Sequence, residues 1–231
     1  MAENIKELKK IAAAAAVDAI QSGMVVGLGT GSTAALMIDE LGARLQQGQL
    51  HHITGIPTSE ATTRQARSLN IPLTTLKEQP KIDLTVDGAD EIDPQLDLIK
   101  GLGGSLLREK IVAASSVRFI IIGDQRKIVD RLGSQAPLPV EIIPFAEKPV
   151  ADFLRSLGAH PVVRKNENSI FITDEGNIIL DCYFEKIEDP YQLAQVIIAR
   201  PGVVEHGFFL GMATEAIVAT ESGIKRFLRG K

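Results

Sequence analysis

Through its first half the chain alternates short, continuously apolar runs with longer stretches of helical spacing. Residues 24–28, Met-Val-Val-Gly-Leu, carry no polar side chain, which suits a strand buried on both faces of a parallel sheet. Before them Ile5, Leu8, Ala12, Ala15 and Ala19 recur at helical intervals, predicting an amphipathic helix that ends near Ser22. After them residues 29–33 open a helix reaching about Leu45. Strands are expected at 53–56, 73–76, 82–86 and 119–124. Helices are expected from Ser59 or Glu60 to Leu69 and over 105–115. Such alternation predicts an α/β fold, a doubly wound and mostly parallel sheet of Rossmann-like kind.

The pattern changes after about Gly133. Pro137, Pro139, Pro144 and Pro149 crowd one stretch, which reads as a boundary crossing. Beyond it a helix is expected at 150–157 and a strand at 161–164. A hairpin of 169–173 with 177–181 should turn about Asp174-Glu175-Gly176, and a helix should follow over 190–199. Strand-rich order with two helices suggests a smaller α+β module. Residues 203–209 and 214–218 then return the chain to the first domain. The expected division is therefore 1–134 with 207–231, and 135–206.

Composition narrows the function. At 231 residues, 45% apolar and 23% charged, the chain can bury a full core and is not disordered. A net charge of −4 argues against a nucleic-acid partner, because phosphate-backbone binding needs a basic footprint. No run reaches the roughly 18 apolar residues of a membrane span, and residues 1–18 lack the form of a signal peptide. The lone Cys182 excludes an internal disulfide and fits a reduced, cytoplasmic setting. It sits in an apolar run and reads as a buried thiol.

The candidate chemistry lies in three polar loops. Gly29-Thr30-Gly31-Ser32-Thr33 follows a strand and enters a helix. Helix N-terminal amides with two or three hydroxyls suit a phosphate dianion. No Lys stands where a Walker loop needs one, and 53–59 offers no carboxylate for a nucleotide ribose. The plain alternative is a tight turn with Ser32 as N-cap. In the second loop Asp87 and Asp90 flank Gly88 and Ala89 and would point the same way in a turn of helix. Paired carboxylates need a metal, a basic partner or a shared proton. His51, His52, His160 and His206 have no zinc-ligand spacing, and Lys100 is the nearer way to offset the charge. Glu91 and Asp93 read as a solvated face. The third loop, Lys100-Gly101-Leu102-Gly103-Gly104, leads into a helix bearing Arg108-Glu109-Lys110, and its amides form a candidate oxyanion cradle.

Taken together, Gly-Leu-Gly-Thr-Gly-Ser-Thr (27–33), Val-Asp-Gly-Ala-Asp-Glu-Ile (86–92), Lys-Gly-Leu-Gly-Gly (100–104), Arg-Glu-Lys (108–110) and Pro-Leu-Pro-Val-Glu (137–141) resemble ribose-5-phosphate isomerases of the A type. The resemblance covers nearly the whole chain, and several separated motifs at matching spacing make it specific. Ser105 and Leu107 depart from the family's usual Ala and Thr. The resemblance implies that Glu109 is the base, with Asp87, Asp90 and Lys100 as catalytic partners. Substrate would be held by Thr30, Gly31, Ser32, Thr33, Asp87, Gly88, Ala89, Asp90, Lys100, Gly101, Leu102, Gly103, Lys127 and Lys9. It further implies interconversion of D-ribose 5-phosphate and D-ribulose 5-phosphate in the pentose phosphate pathway, with no metal or organic cofactor, by a homodimer or homotetramer. Two other classes stay open on the residues alone: a non-catalytic sugar-phosphate sensor, and an acyl-transfer enzyme of the CoA-transferase kind with a Glu nucleophile.

Overall fold

The computed structural model describes residues 2–167 and 169–230. In chain order its elements begin α1 (Ala2–Val17), β1 (Val25–Leu28), α2 (Ser32–Gln46), β2 (Thr54–Pro57), α3 (Glu60–Ser68) and β3 (Ile82–Gly88). Next come β4 (Glu91–Ile92), β5 (Leu98–Ile99), α4 (Leu106–Ala114), β6 (Ser116–Asp124), β7 (Leu138–Ile142) and α5 (Glu147–Ser156). Then follow β8 (Ala159–Val163), β9 (Lys165–Asn166), β10 (Ser169–Ile170), β11 (Ile178–Phe184) and α6 (Pro190–Ile198). The chain finishes with β12 (Val203–His206), β13 (Phe208–Phe209), β14 (Glu215–Thr220) and β15 (Gly223–Leu228).

These elements fall into two compact units. The first comprises residues 1–89, 108–127 and 212–231; the second comprises 90–107 and 128–211. In the first unit six strands run in the order β15-β14-β6-β3-β1-β2. All neighbours are parallel except the edge hairpin β14–β15. Val26 and Leu28 of β1 join a core with Leu8, Ala12, Ala16, Met37, Ile38 and Leu41 from α1 and α2. The alanines of α1 let it approach the sheet closely. Each fully buried Met, Ile or Leu contributes roughly 1.5–3 kcal/mol relative to exposure. Gly27 and Thr85 face the other way, where a Cβ at Gly27 would meet Val112 of α4. Helices on both faces make the expected α/β, doubly wound arrangement. Residues 73–76 are not a strand: Leu73 alone makes an isolated bridge to Gly55.

The second unit holds a four-stranded antiparallel sheet, β12-β7-β11-β8, with α5 and α6, and a small sheet β13-β5-β4. Its core gathers Val140 and Ile142 of β7, Leu180 and Cys182 of β11, and Val150, Leu154 and Ile197 of the two helices. The proline-rich stretch is therefore no boundary. Pro139 lies in interior strand β7, where its carbonyl accepts from Gly207 N at 2.7 Å. Pro149 sits in the first turn of α5, where a missing N–H costs no helix bond. The 169–173 expectation also divides: β10 pairs with β9, and only Ile172 bridges to Ile178 across the turn.

Residues 90–107, 128–134 and 207–211 group with this second unit, against the expected limits of 134 and 207. The reason is specific. β5 pairs with β13, and the Glu91 carboxylate accepts from the backbone amides of Gly133, Gln135 and Ala136 at 2.5, 2.5 and 2.7 Å. Glu91 is fully buried, so its expected place on a solvated face is wrong. Asp93 instead closes a local turn, accepting from Gln95 N and Asp97 N.

Glu141 of β7 is a second buried carboxylate, accepting from Thr173 Oγ1 and Asn177 Nδ2, both at 2.9 Å. Burial pushes its pKa above the ordinary 4.5, and the charges of Glu175 and Glu205 add to this against those two hydrogen bonds. A carboxyl raised in the folded state stabilises most below its unfolded pKa and loses that contribution as pH rises through the folded one. Glu141→Gln keeps an oxygen for both donors. Its Tm is therefore expected to gain on wild type between about pH 4 and pH 7. A constant difference across that range would show that Glu141 does not titrate in the fold.

Candidate active site

The loop after β1 places the first group of polar residues, all within the first unit. Gly31 caps α2 with φ 110°, a conformation that favours glycine. No side chain caps this helix, so the expected alternative of Ser32 as N-cap is not realised. First-turn amides left uncapped, at the positive end of the helix dipole, suit an anion. Ser32 is the first helical residue, and its Oγ lies 2.8 Å from Lys9 Nζ on α1. A lysine 23 positions upstream thus reaches the loop although no sequence motif surrounds it.

Thr30 is turned differently. Its Oγ1 lies 2.7, 2.9 and 3.1 Å from the hydroxyls of Thr58, Ser59 and Thr62. Ser59 caps α3 through Thr62 N, and Thr62 Oγ1 donates to Gly29 O. Sequence reading passed over this hydroxyl cluster, whose one signal is the Thr-Ser-x-x-Thr spacing at a helix start. The Thr30 amide donates to Asp87 Oδ1 at 3.1 Å, which also accepts from Gly88 N at 2.7 Å. Thr33 is buried on α2, while Gly31 and Ser32 are exposed.

Asp87, next to last in β3, is 1% exposed; Glu109, in the first turn of α4, is 2% exposed. Asp87 Oδ2 and Glu109 Oε2 are each closed to solvent. Burying a carboxylate is costly, which makes these two groups candidates for chemistry. Beside Glu109, Arg108 Nη1 bonds Glu60 Oε1 at 2.9 Å and draws that exposed carboxyl below its ordinary range. Lys127 ends a short 3-10 turn after β6 and lies half-buried alongside Gly123.

The second unit carries the remaining candidates. Asp90 lies in a bend before β4, not in a helical turn with Asp87, which the β-conformation of residues 82–88 rules out. Ala89, the last residue of the first unit, joins the two acids in the chain. Asp90 Oδ2 accepts from Leu102 N at 2.9 Å, and Asp90 N donates to Ile99 O. Gly101 has φ 108° and Gly104 φ 85°, so this loop needs glycine at both. Leu102 and Gly103 are exposed, while Lys100 is buried, with Nζ 5.3 Å from the centre of the Phe209 ring. Among the described residues no group of three or more His, Cys, Asp or Glu side chains is arranged to hold a metal ion, nor is any helix long and apolar enough to cross a membrane.

The family model for ribose 5-phosphate isomerase A (phosphoriboisomerase A) matches residues 54–223. A ribose-5-phosphate isomerase A of Roseiflexus sp. (strain RS-1) is 56% identical over 206 residues, covering 89% of this chain and 88% of its own. The ribose 5-phosphate isomerase from Plasmodium falciparum superposes with TM-score 0.96 at 41% identity, covering 98% of this chain and 100% of that one. A D-ribose-5-phosphate isomerase solved in complex with phospho-erythronic acid superposes at 0.95 and 42% identity, over 97% and 99%. The chain belongs to the ribose 5-phosphate isomerase A family.

Proposed function

We propose that this enzyme interconverts D-ribose 5-phosphate and D-ribulose 5-phosphate through an enediolate, within the pentose phosphate pathway and without a metal or organic cofactor. What carries the reading is identity of 56% across 89% of the chain with a named ribose-5-phosphate isomerase A. The four-carbon aldonate phosphate bound by the solved relative has the charge and reach of a linear sugar-phosphate intermediate. The lone buried Cys182 fits a reduced, cytoplasmic setting, and the family resemblance supports a homodimer or homotetramer.

The roles follow from the chemistry. An Asp of the Asp87/Asp90 pair moves the proton that opens the furanose. Glu109 takes the C2 proton of the open-chain aldose; the C2–H electrons form the C1–C2 double bond and O1 gains the negative charge. Lys100 and the amides of the 101–103 loop stabilise that charge. The O2 proton passes to O1, and Glu109 returns its proton to C1, leaving a C2 carbonyl. Thr30 to Thr33, Lys9 and Lys127 hold the phosphate, so remote binding energy fixes C1 and C2 against the base. The test is ketose formation from ribose 5-phosphate with excess EDTA present. Full activity is expected; loss that added Mg²⁺ or Zn²⁺ restores would overturn the cofactor-free reading.

Ser32→Ala tests the phosphate assignment. Losing a hydroxyl that serves a charged group costs about 1.5–3 kcal/mol, so KM for ribose 5-phosphate should rise roughly 10- to 100-fold. Free ribose should remain a very poor substrate, insensitive to the change. Equal losses on both sugars would place the phosphate elsewhere.

A further inference from the structure

The glycine loop that follows Lys100 is gripped by a residue far from it in sequence. Arg164, just past β8, donates Nη1 to the carbonyl oxygens of Gly101 at 2.7 Å and Leu102 at 3.1 Å. The same guanidinium is held by Asp181 of β11, through Nε to Oδ2 at 2.9 Å and through Nη2 to Oδ1. Both side chains are largely buried, at 10% and 16% exposure. A planar fork bound at two points by a carboxylate keeps one orientation. The Arg164 head also lies 5.9 Å from the centre of the Phe171 ring, and that ring fills the space a Cβ at Gly104 would need. On the loop's amide side Asp90 accepts from Leu102 N, and Gly104 N closes the turn onto Gly101 O.

We propose that Arg164, set by Asp181, is a positioning residue for the reaction: it fixes the 101–104 turn so that the loop amides and Lys100 are preorganised for the developing oxyanion. The proposal rests on the isomerase reading above for its functional half. Neutralising Arg164 alone would strand the Asp181 carboxylate in a buried place. The informative variant is therefore the double substitution Arg164→Met with Asp181→Asn, compared with Arg164→Lys, which keeps charge but not the fork.

Two measurements on the full chain decide it. Amide hydrogen exchange at Leu102 and Gly104 is expected to quicken at least tenfold in the double variant, with Tm within a few degrees of wild type. On ribose 5-phosphate, kcat is expected to fall at least tenfold while KM stays within threefold, and Arg164→Lys should recover only part of the loss. Unchanged exchange at those amides overturns the latch, and unchanged kcat overturns its role in the reaction. A variant that unfolds while its remaining folded fraction shows wild-type kcat also overturns that role. If wild type fails to turn over ribose 5-phosphate, the isomerase reading falls, and the exchange measurement still decides the latch.

Discussion

Glu109→Gln should leave the fold intact and lower kcat on ribose 5-phosphate by about 10² to 10⁴-fold, the usual contribution of a positioned general base. The substitution conserves volume, so the packing of α4 has no reason to change. It removes the one property the mechanism needs, since an amide oxygen does not take a proton from carbon at neutral pH. Glu109 is 2% exposed on a short helix, with Oε2 closed to solvent, so bulk water does not readily replace it as the base. KM should move little, because the phosphate supplies most of the binding. A kcat within about tenfold of wild type, short of that usual contribution, would remove Glu109 from the role.

The second large effect is expected at Gly29. A Cβ there would sit 2.2 Å from Asp87 Oδ1, 2.4 Å from its Cγ and 2.7 Å from its backbone Cα. The last of these contacts cannot be relieved by a rotamer. β1 and β3 are adjacent, and Gly29 N donates to Val86 O at 3.0 Å, so Gly29→Ala must push the strand ends apart. Overpacking of this kind costs about 1–3 kcal/mol, a Tm loss of roughly 2–12 °C for a chain of this size. The same shift pulls Asp87 off the Thr30 amide, and kcat should drop at least tenfold. Gly103→Ala is the control for stability, since nothing lies within 4 Å of its Cβ position. Equal Tm values for the two variants would show that Gly29 is not confined by Asp87.

What the chain made legible was decided by local signals. Val25 to Leu28 run straight into Gly29-Thr30-Gly31, so the strand, the loop and the helix after it could all be placed from neighbouring residues. The same holds for Ile82 to Val86 and the Asp87 that follows. β7 was hidden because Pro139 in an interior strand looks like a breaker; only its pairing shows that the missing donor is tolerated there. Glu91 was misplaced because nothing adjacent to it in sequence announces three amides more than 40 positions on. The reach of Lys9 to Ser32 and the Arg164–Gly101 bond are likewise products of tertiary packing across 23 and 63 positions. The expected helical turn through Asp87 and Asp90 could be set aside only once Asp87 and Gly88 proved to lie in β3. Motif residues are legible where chemistry fixes their spacing; their supports are not, because any fold position can supply them.

Isomerisation through an enediolate requires proton transfer at C2 by a protein carboxylate. Ribose 5-phosphate carrying deuterium at C2 tests it directly, with the label followed over many turnovers into product and solvent. Ketose formation with a primary isotope effect and progressive appearance of the label in water are expected, slowed by about 10² to 10⁴-fold in Glu109→Gln. Complete retention of deuterium at C1 of the ketose through repeated turnovers, the mark of a hydride shift, would contradict proton transfer.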